Sequence, residues 1–299
     1  FLTQDSTGLW GGLFILGSNP VTGGFADTVL AEGFPAGSNT YYGGKNLQDS
    51  SGILNYVSIR HPGARLPEGA KAPGLMLGGV GAGTRIENVE VYAAGGDGIQ
   101  IMGGDANIRN TSVTFARDDF YQTGQGWLGM GQFIFALGKG PQHTYDHLAK
   151  FDGPSGASRI FNATLIGGGR RLDYPNSSHQ AIMIKNGNAT SIYNSIFGDI
   201  GRKAINITDD PGQANTSSFS KYIDQSGYEI RNNLWYELFG NFSQNTSYFD
   251  SLVLVDNNYN AGKDTLSAKL INEGNTYLDN DSIFVNISSN LANLLSYQK

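Results

Sequence analysis

The stretch "IENVEVYAAGGDGIQIMGGDANIRNTSV", residues 86–113, decides the fold because it holds two copies of one six-residue pattern. The pattern is Ile-x-Asn-x-x-apolar, and its copies begin at Ile86 and Ile108, a step of 22 residues. Between them, Ile99 and Ile101 flank Gln100. This alternation predicts a β-strand with one buried face.

Further copies of the pattern occur along the chain. Five of them, two degenerate, begin at Leu54, Met130, Ile160, Ile192 and Ile230. In the copy that begins at Met130, Gln132 takes the place of Asn. The steps between copies run from 22 to 38 residues, which indicates a unit of 22 residues with loop insertions, the signature of a solenoid.

A unit of this length predicts a parallel β-helix. Parallel strands need a crossover connection, usually a helix, and 22 residues hold about three short strands and three bends but no helix. We therefore predict an all-β, single-stranded, right-handed parallel β-helix that forms one domain over residues 1–299. At its end, the apolar spacing within residues 287–297 predicts a short helical cap.

The recurring asparagine of the pattern predicts a bend between two strands, because asparagine tolerates positive φ. We expect these side chains to stack in successive coils (one coil being one turn of the solenoid) and to bond one another and the bend backbone, and we expect Asn110 and Asn162 to be inaccessible. This predicted ladder consists of Asn88, Asn110, Asn162, Asn194 and Asn232.

The composition of the chain argues against several classes of function. The net charge is −6, and the basic residues form no cluster longer than Arg170–Arg171, which argues against a nucleic-acid partner. No apolar run approaches the roughly 18 residues of a membrane span. Cysteine is absent, which excludes disulfides and thiolate metal sites.

Several segments resemble a known group of proteins. They are "GLWGGLFILG" at 8–17, "SGILNYVSIRH" at 51–61, "LMLGGVGAGTRIENVEV" at 75–91 and "GWLGMGQFIF" at 126–135. They resemble secreted or surface-displayed right-handed parallel β-helix proteins of gliding-type Gram-negative bacteria. The resemblance covers roughly residues 8–200. It implies the fold and an extracellular or cell-surface location, but no activity.

Three aspartates carry a second, more distant resemblance. "GGDGIQI" and "ARDDFYQ" are similar in type and spacing to the catalytic segments of polygalacturonase-like β-helices. The resemblance implies Asp97, Asp118 and Asp119 as candidate catalytic residues, one to protonate the leaving oxygen and another to activate water. The Gly-His-Gly expected one coil further on is "GKG" at 138–140, and the later Arg-x-Lys is missing.

Two other interpretations of these acids stay open. Pectate-lyase-like enzymes need calcium-binding acids and a basic residue, for which the chain offers the three aspartates with Asp105, Lys150 and Arg170. Alternatively, Gly-Asp and Asp-Asp are good turn formers at the start of a strand, and a solenoid repeats its turns. His143 and His147, in a loop rich in Pro and Gly, are expected to be solvated, so no metal site is predicted.

The chain is enriched in Asn-x-Ser/Thr sequons, ten in all, of which two fall on Asn110 and Asn162. The candidate glycosylation sites are Asn176, Asn188, Asn206, Asn215, Asn241, Asn245, Asn280 and Asn286.

The sequence alone thus favours a non-enzymatic extracellular protein, structural or adhesive and glycosylated. We expect the strand edge at "LFIL", residues 13–16, to be open, so that chains associate head to tail into a fibre or surface layer. Expected partners are further copies of the chain and surface glycans, and no cofactor is expected unless calcium binds the acids. The alternative is a polysaccharide hydrolase or lyase that acts through Asp97, Asp118 and Asp119.

Overall fold

The structure is a computed structural model. It describes residues 1–22, 28–140, 144–168, 179–201, 204–208, 218–223, 227–238, 253–255 and 263–278. The predicted cap at 287–297 lies outside the described residues. In the part of the chain that the structure describes, no helix is long and apolar enough to cross a membrane.

Almost all described elements are short strands in two parallel sheets. The first sheet contains β1 (Leu13–Leu16), β5 (Leu75–Gly78), β7 (Ile99–Met102), β9 (Tyr121–Gly124), β11 (His147–Phe151), β14 (Gln180–Lys185), β17 (Ile205–Thr208) and β20 (Val253–Val255). The second sheet contains β4 (Ile53–Arg60), β6 (Arg85–Tyr92), β8 (Asn107–Thr114), β10 (Met130–Leu137), β12 (Arg159–Phe161), β13 (Thr164–Ile166), β15 (Ser191–Tyr193), β16 (Ile196–Ile200), β18 (Ile230–Arg231), β19 (Leu234–Leu238) and β21 (Thr276–Leu278).

The remaining described elements are one hairpin and two helices. A hairpin of β2 (Val29–Leu30) and β3 (Tyr41–Tyr42) is antiparallel. The helices are α1 (Ser218–Ile223) and α2 (Lys263–Asn272).

Strand order confirms the predicted all-β parallel β-helix. Neighbours in the first sheet follow the order β1-β5-β7-β9-β11-β14-β17-β20, so the chain returns to the same sheet once per coil. Repeat positions stack on one another: Ile86 pairs with Ile108, and Ile192 pairs with both Ile160 and Ile230.

One copy of the pattern is shifted by a residue from its predicted place. Gly131, and not Met130, pairs with Ile108 and Ile160, so Gln132 lies one position before the bend and Phe133 occupies it. Gly131 fits because a Cβ there would lie 2.9 Å from the Ile160 side chain, which already fills the interior. Met130 matches the apolar first position of the pattern, yet its side chain is exposed.

The core is a column of inward side chains repeated at each coil. Leu75, Ile99, Tyr121, Ala149 and Ile182 stack in register, and each is at most 3% exposed. Full burial of one large aliphatic side chain contributes about 1.5–3 kcal/mol. The repeated column therefore holds the coils together.

The predicted asparagines lie at bends with positive φ. Their φ values are 54° at Asn88, 50° at Asn110, 55° at Asn162, 50° at Asn194 and 56° at Asn232, and the matching bends hold Tyr56 at 56° and Phe133 at 55°. The prediction that Asn110 and Asn162 are inaccessible is wrong, since both are exposed.

Side-chain bonds link only part of this column within the described residues. Asn110 Nδ2 donates to Asn88 Oδ1 at 3.2 Å, and Asn88 Nδ2 donates to Asn55 Oδ1 at 2.9 Å. Phe133 ends the row because its side chain has no amide.

A buried polar row follows one residue later. Asn233 and Ser195 are each 1% exposed, and Asn233 Oδ1 accepts from the Ser195 backbone N–H at 2.9 Å. Asn233 Nδ2 donates to Asn275 Oδ1 at 3.0 Å, and the Ala163 N–H donates to Ser195 Oγ at 3.0 Å. These buried side chains have the role that was predicted for the asparagines of the repeat. They form hydrogen bonds with backbone groups that the bends leave unpaired.

The segment that carries the hairpin is tied to the first sheet by Asp49, which is 6% exposed. Asp49 accepts from the Ser18 N–H and Oγ, both at 3.0 Å, from Ser51 Oγ at 2.9 Å and from the Gly81 N–H at 2.9 Å. The hairpin packs on the outward side of the first sheet, where Ala31 and Tyr42 cluster with Met76, and Glu32 lines the groove at the starts of β7 and β9.

The first coil has open strand edges among the described residues. β1 pairs only with β5, and β4 pairs only with β6. Leu13, Ile15, Leu54 and Val57 contact the core from this coil and are only partly buried.

Candidate active site

Three carboxylates converge where β7 and β9 begin. The register Ile99 to Tyr121, continued back by two residues, places Asp97 beside Asp119, and the Gly98 N–H donates to the Asp119 carbonyl at 2.8 Å. One oxygen from each of Asp97, Asp118 and Asp119 can be chosen so that all three lie within 4.8 Å of one another. The solenoid thus brings together residues that are 21 and 22 positions apart.

Asp119 is the anchored member of this cluster. Its side chain is 2% exposed, with Oδ1 2.7 Å from His147 Nδ1 and Oδ2 3.1 Å from Lys150 Nζ. Its backbone N–H donates to Asp97 Oδ1 at 3.1 Å. Both partners of the carboxylate come from β11 in the next coil, so three consecutive coils fix the arrangement.

Two glutamines lie beside the cluster in the next outward-facing column. Gln100 Nε2 donates to Asp97 Oδ2 at 3.3 Å. The Gln122 amide, turned with its nitrogen toward Asp97, donates to the same oxygen at 2.5 Å and accepts from Lys150 Nζ at 3.3 Å. These side chains lie together because Gln100 pairs with Gln122 and Gln122 pairs with Lys150.

The surroundings push the three carboxyl pKa values apart. Burial raises the pKa of Asp97 well above its usual range, and the charges of Asp119 and Asp118 raise it further. Burial, with the charges of Asp119 and Asp146, also raises the pKa of Asp118. Burial alone would raise the pKa of Asp119, but its bond to His147 and the charge of Lys150 bring that pKa below its usual value. One carboxyl is thus favoured as an acid beside one that stays ionised.

The cluster opens into a groove of about 380 Å³. Its lining residues are Phe14, Glu32, Leu66, Ala70, Lys71, Pro73, Met76, Asp97, Gln100, Asp118, Asp119, Gln122 and Lys150. Gln122 also lines an adjoining pocket of about 290 Å³ at the other ends of β7 and β9. Asp118 is exposed within the groove, whereas Asp119 is buried behind it.

The site contains a histidine that the sequence analysis assigned to a solvated loop. His147 is 5% exposed, and its Nε2 has no hydrogen-bond partner among the described residues. The resemblance to polygalacturonase-like proteins implies a histidine at 138–140, where the chain has Lys139. The available signal was the strand start, because Asp146-His147-Leu148 aligns with Asp118-Asp119-Phe120 in the sheet.

The other residues considered for the site lie elsewhere. Asp105 Oδ1 accepts from Asn19 Nδ2 at 3.0 Å and from the Ala82 N–H at 2.7 Å, which is a turn role. Arg170 and His143 lie outside the described residues. Lys150 is in the site, as the lyase alternative required.

The donor set fits calcium poorly. Calcium takes about six to eight oxygen ligands. Here Lys150 and His147 already occupy both oxygens of Asp119, which leaves mainly Asp97 and Asp118 to bind an ion. The chemistry proposed below therefore uses protons and no metal.

The structure removes one glycosylation candidate. Asn188 is 2% exposed, and its Oδ1 accepts from the Thr190 N–H at 2.9 Å and from Thr190 Oγ1 at 2.7 Å. A side chain buried in this way is inaccessible to a glycan-transferring enzyme. Asn206 is half-buried on β17 between Met183 and Leu254. The remaining candidates lie outside the described residues, and they are Asn176, Asn215, Asn241, Asn245, Asn280 and Asn286.

Comparison with known proteins agrees with this architecture. A family model described as "Pectate-lyase like beta helix domain" matches residues 2–267. No curated protein and no solved structure matches the chain. Because the match spans most of the 299 residues, the chain belongs to the family of pectate-lyase-like β-helix domains.

Proposed function

We propose that the chain hydrolyses a polysaccharide that lies in the groove, by acid–base catalysis at the aspartate cluster. One observation carries the proposal: three carboxylates from two coils meet at a single groove, where the pKa values of Asp97 and Asp118 are raised and that of Asp119 is lowered. Perturbed carboxyl groups that meet in a cleft are the usual arrangement of a catalytic acid and base.

Asp97 is the general acid in this proposal. Its raised pKa keeps a proton on the carboxyl group, which passes to the glycosidic oxygen as the bond from that oxygen to the anomeric carbon breaks. Asp118, exposed in the groove, takes a proton from the water whose oxygen bonds to the anomeric carbon. Solvent then returns a proton to Asp97 and removes one from Asp118, so the net reaction consumes one water for each bond cleaved.

Asp119 is a positioning residue. It is too deeply buried to meet a substrate directly, but its charge helps raise the pKa of Asp97 and of Asp118. His147 and Lys150 in turn keep Asp119 ionised.

A simple turn role accounts less well for these contacts. A turn-forming aspartate bonds backbone groups of its own turn. Asp97 accepts from the backbone of the next coil, and Asp119 binds two side chains of the coil after it. Crowded carboxylates of this kind destabilise a fold, which favours a role in chemistry.

The experiment compares wild type with Asp97→Asn and Asp118→Asn on a panel of neutral and acidic polysaccharides, with new reducing ends as the readout. We expect each variant to lose about 100-fold or more of the activity, the usual contribution of a general acid or base. Asp105→Asn, the same change in a turn outside the groove, should keep the activity. Folded wild type that cleaves none of the panel would overturn the proposal.

A structural or adhesive role outside the cell is a second candidate, favoured by β1 and β4, which each leave one edge unpaired among the described strands. Open edges accept further strands unless they are covered, and a contact between unlike ends propagates as a filament. In this role the protein would be glycosylated and would bind its own copies or surface glycans. Light scattering and electron microscopy test it, and a dispersed monomer at high concentration would exclude it.

A further inference from the structure

The charges that line the groove restrict the kind of glycan it can hold. Resting on the proposed function, we infer that the substrate is an uncharged polysaccharide and not a polyuronate. The groove presents four carboxylates and two cations among its described lining residues, and they are Glu32, Asp97, Asp118, Asp119, Lys71 and Lys150. Even with a proton on Asp97, acids outnumber bases.

Both cations already face carboxylates of the protein. Lys150 Nζ lies 3.1 Å from Asp119 Oδ2, and its charge also acts on Asp97. The charge of Lys71 acts on Asp118. A uronate unit beside either lysine would have to compete with a carboxylate that is fixed in place, and like charges placed together disfavour binding.

No arginine lines the described part of the groove. Arginine is the side chain whose paired N–H donors match a carboxylate, so its absence from these positions deprives a uronate of its best partner.

The polar groups that remain suit hydroxyl groups. Gln100 and Gln122 each carry an amide, which both donates and accepts, as a sugar hydroxyl does. The adjoining pocket adds Thr22, Thr123 and Gln125. Its charged group is Asp152, which lies 3.4 Å from Lys185 Nζ and accepts from Asn186 Nδ2 at 2.8 Å. The second pocket therefore adds hydroxyl partners and no spare cation.

Binding of glycan probes is measured with the Asp97→Asn variant. Asparagine is uncharged, like the protonated Asp97 of the resting site, and the substitution prevents cleavage of the probe during the measurement. The probes are polygalacturonate, its fully methyl-esterified form, alginate, a neutral β-glucan, a galactan and a xylan. We expect at least one uncharged probe to bind at least about tenfold more tightly than either polyuronate at low salt, with a smaller difference at high salt. Equal or tighter binding of a polyuronate, or binding of none of the probes, would overturn the inference.

A charge reversal on the groove wall sharpens the test. Glu32→Lys adds two units of positive charge at an exposed lining position and should improve polygalacturonate binding at least about threefold. Glu87→Lys makes the same change on the second sheet and should not. No effect of Glu32→Lys would count against the charge argument. If wild type cleaves a polyuronate and Asp97→Asn does not, only the inferred substrate class is refuted. If uncharged glycans bind but are not cleaved, only the proposed hydrolysis is refuted.

Discussion

His147 Nδ1 lies 2.7 Å from Asp119 Oδ1, a contact between residues 28 positions apart that the stacking of β11 on β9 makes possible. The bond lowers the pKa of Asp119, which burial alone would raise. A variant without this bond tests whether His147 lowers the pKa of Asp119 or only packs in the interior.

We expect His147→Asn to raise the pKa of Asp119, as measured by a carboxyl carbon NMR titration. The pKa of Asp119 is depressed in the wild type, so loss of the bond raises it, and the ionised form then appears only at higher pH. His61→Asn, a buried histidine outside the groove, is the control. An unchanged pKa of Asp119 would show that the bond is only structural.

The proton on Asp97 can be observed directly. Carboxyl carbon NMR titration should find one aspartate with a pKa well above the roughly 3.9 of a free side chain. That signal should disappear in Asp97→Asn, and its pKa should fall in Asp119→Asn, because the Asp119 charge helps to raise it. If the signal that is lost in Asp97→Asn titrates at or below that free value, Asp97 is not an acid at neutral pH.

Asp49 should make stability depend on pH in the acid range. Burial would raise its pKa, but bonds from Ser18, Gly81 and Ser51 bring it below its usual value. The folded pKa is the depressed one, so the stabilisation is full above the unfolded pKa of about 3.9 and is lost as pH falls through the folded pKa. Asp49→Asn should therefore lower the free energy of unfolding at pH 7 by about 1–3 kcal/mol, and by less near pH 2. Urea denaturation at both pH values measures this, and an equal loss at both would contradict it.

The buried polar row should contribute more stability than the exposed bend column. Asn233→Ala leaves the buried Ser195 N–H without its acceptor and removes the bonds from Asn233 Nδ2 to the Ile192 carbonyl and to Asn275 Oδ1, so it should cost about 1–3 kcal/mol. Asn110→Gly keeps the positive φ at an exposed position and should change stability by no more than about 0.5 kcal/mol. Equal melting temperatures for the two variants would contradict this assignment.

Phe133 offers a stabilising change. A bulky residue at a φ of 55° is strained, and its ring interrupts the asparagine row. Phe133→Asn should raise the free energy of unfolding by up to about 1 kcal/mol, whereas Phe133→Leu should not. A loss of stability in Phe133→Asn would mean that the ring contributes more by packing, for example against Arg109, than the strain costs.

The repeat made the fold predictable, because Ile86 and Ile108 stack as their spacing requires. The register of β10 was harder to predict. Met130 is apolar and matches the pattern of an inward-facing residue, but Gly131 is the residue that pairs with Ile160 and leaves room for its side chain. The asparagine bends were predictable from residue type, but their exposure depends on which way the bend turns each side chain, which spacing does not encode.

The cluster itself was predictable in part. Asp97 and Asp119 are one coil apart, so their proximity follows from the repeat. His147 and Lys150 were harder to place, because the loop between β10 and β11 breaks the 22-residue step and hides the alignment with β9. The charge state of the site depends on these two partners, which is why the sequence alone favoured a scaffold role for the aspartates.

Cleavage in ¹⁸O-labelled water tests the central claim most directly. A short incubation of wild type with the polysaccharide it cleaves should produce new anomeric ends that each carry one ¹⁸O atom, without unsaturated sugars, and folded Asp97→Asn should produce none. Unlabelled, unsaturated ends would identify a lyase, and no new ends from any glycan of the panel would contradict catalysis at this cluster.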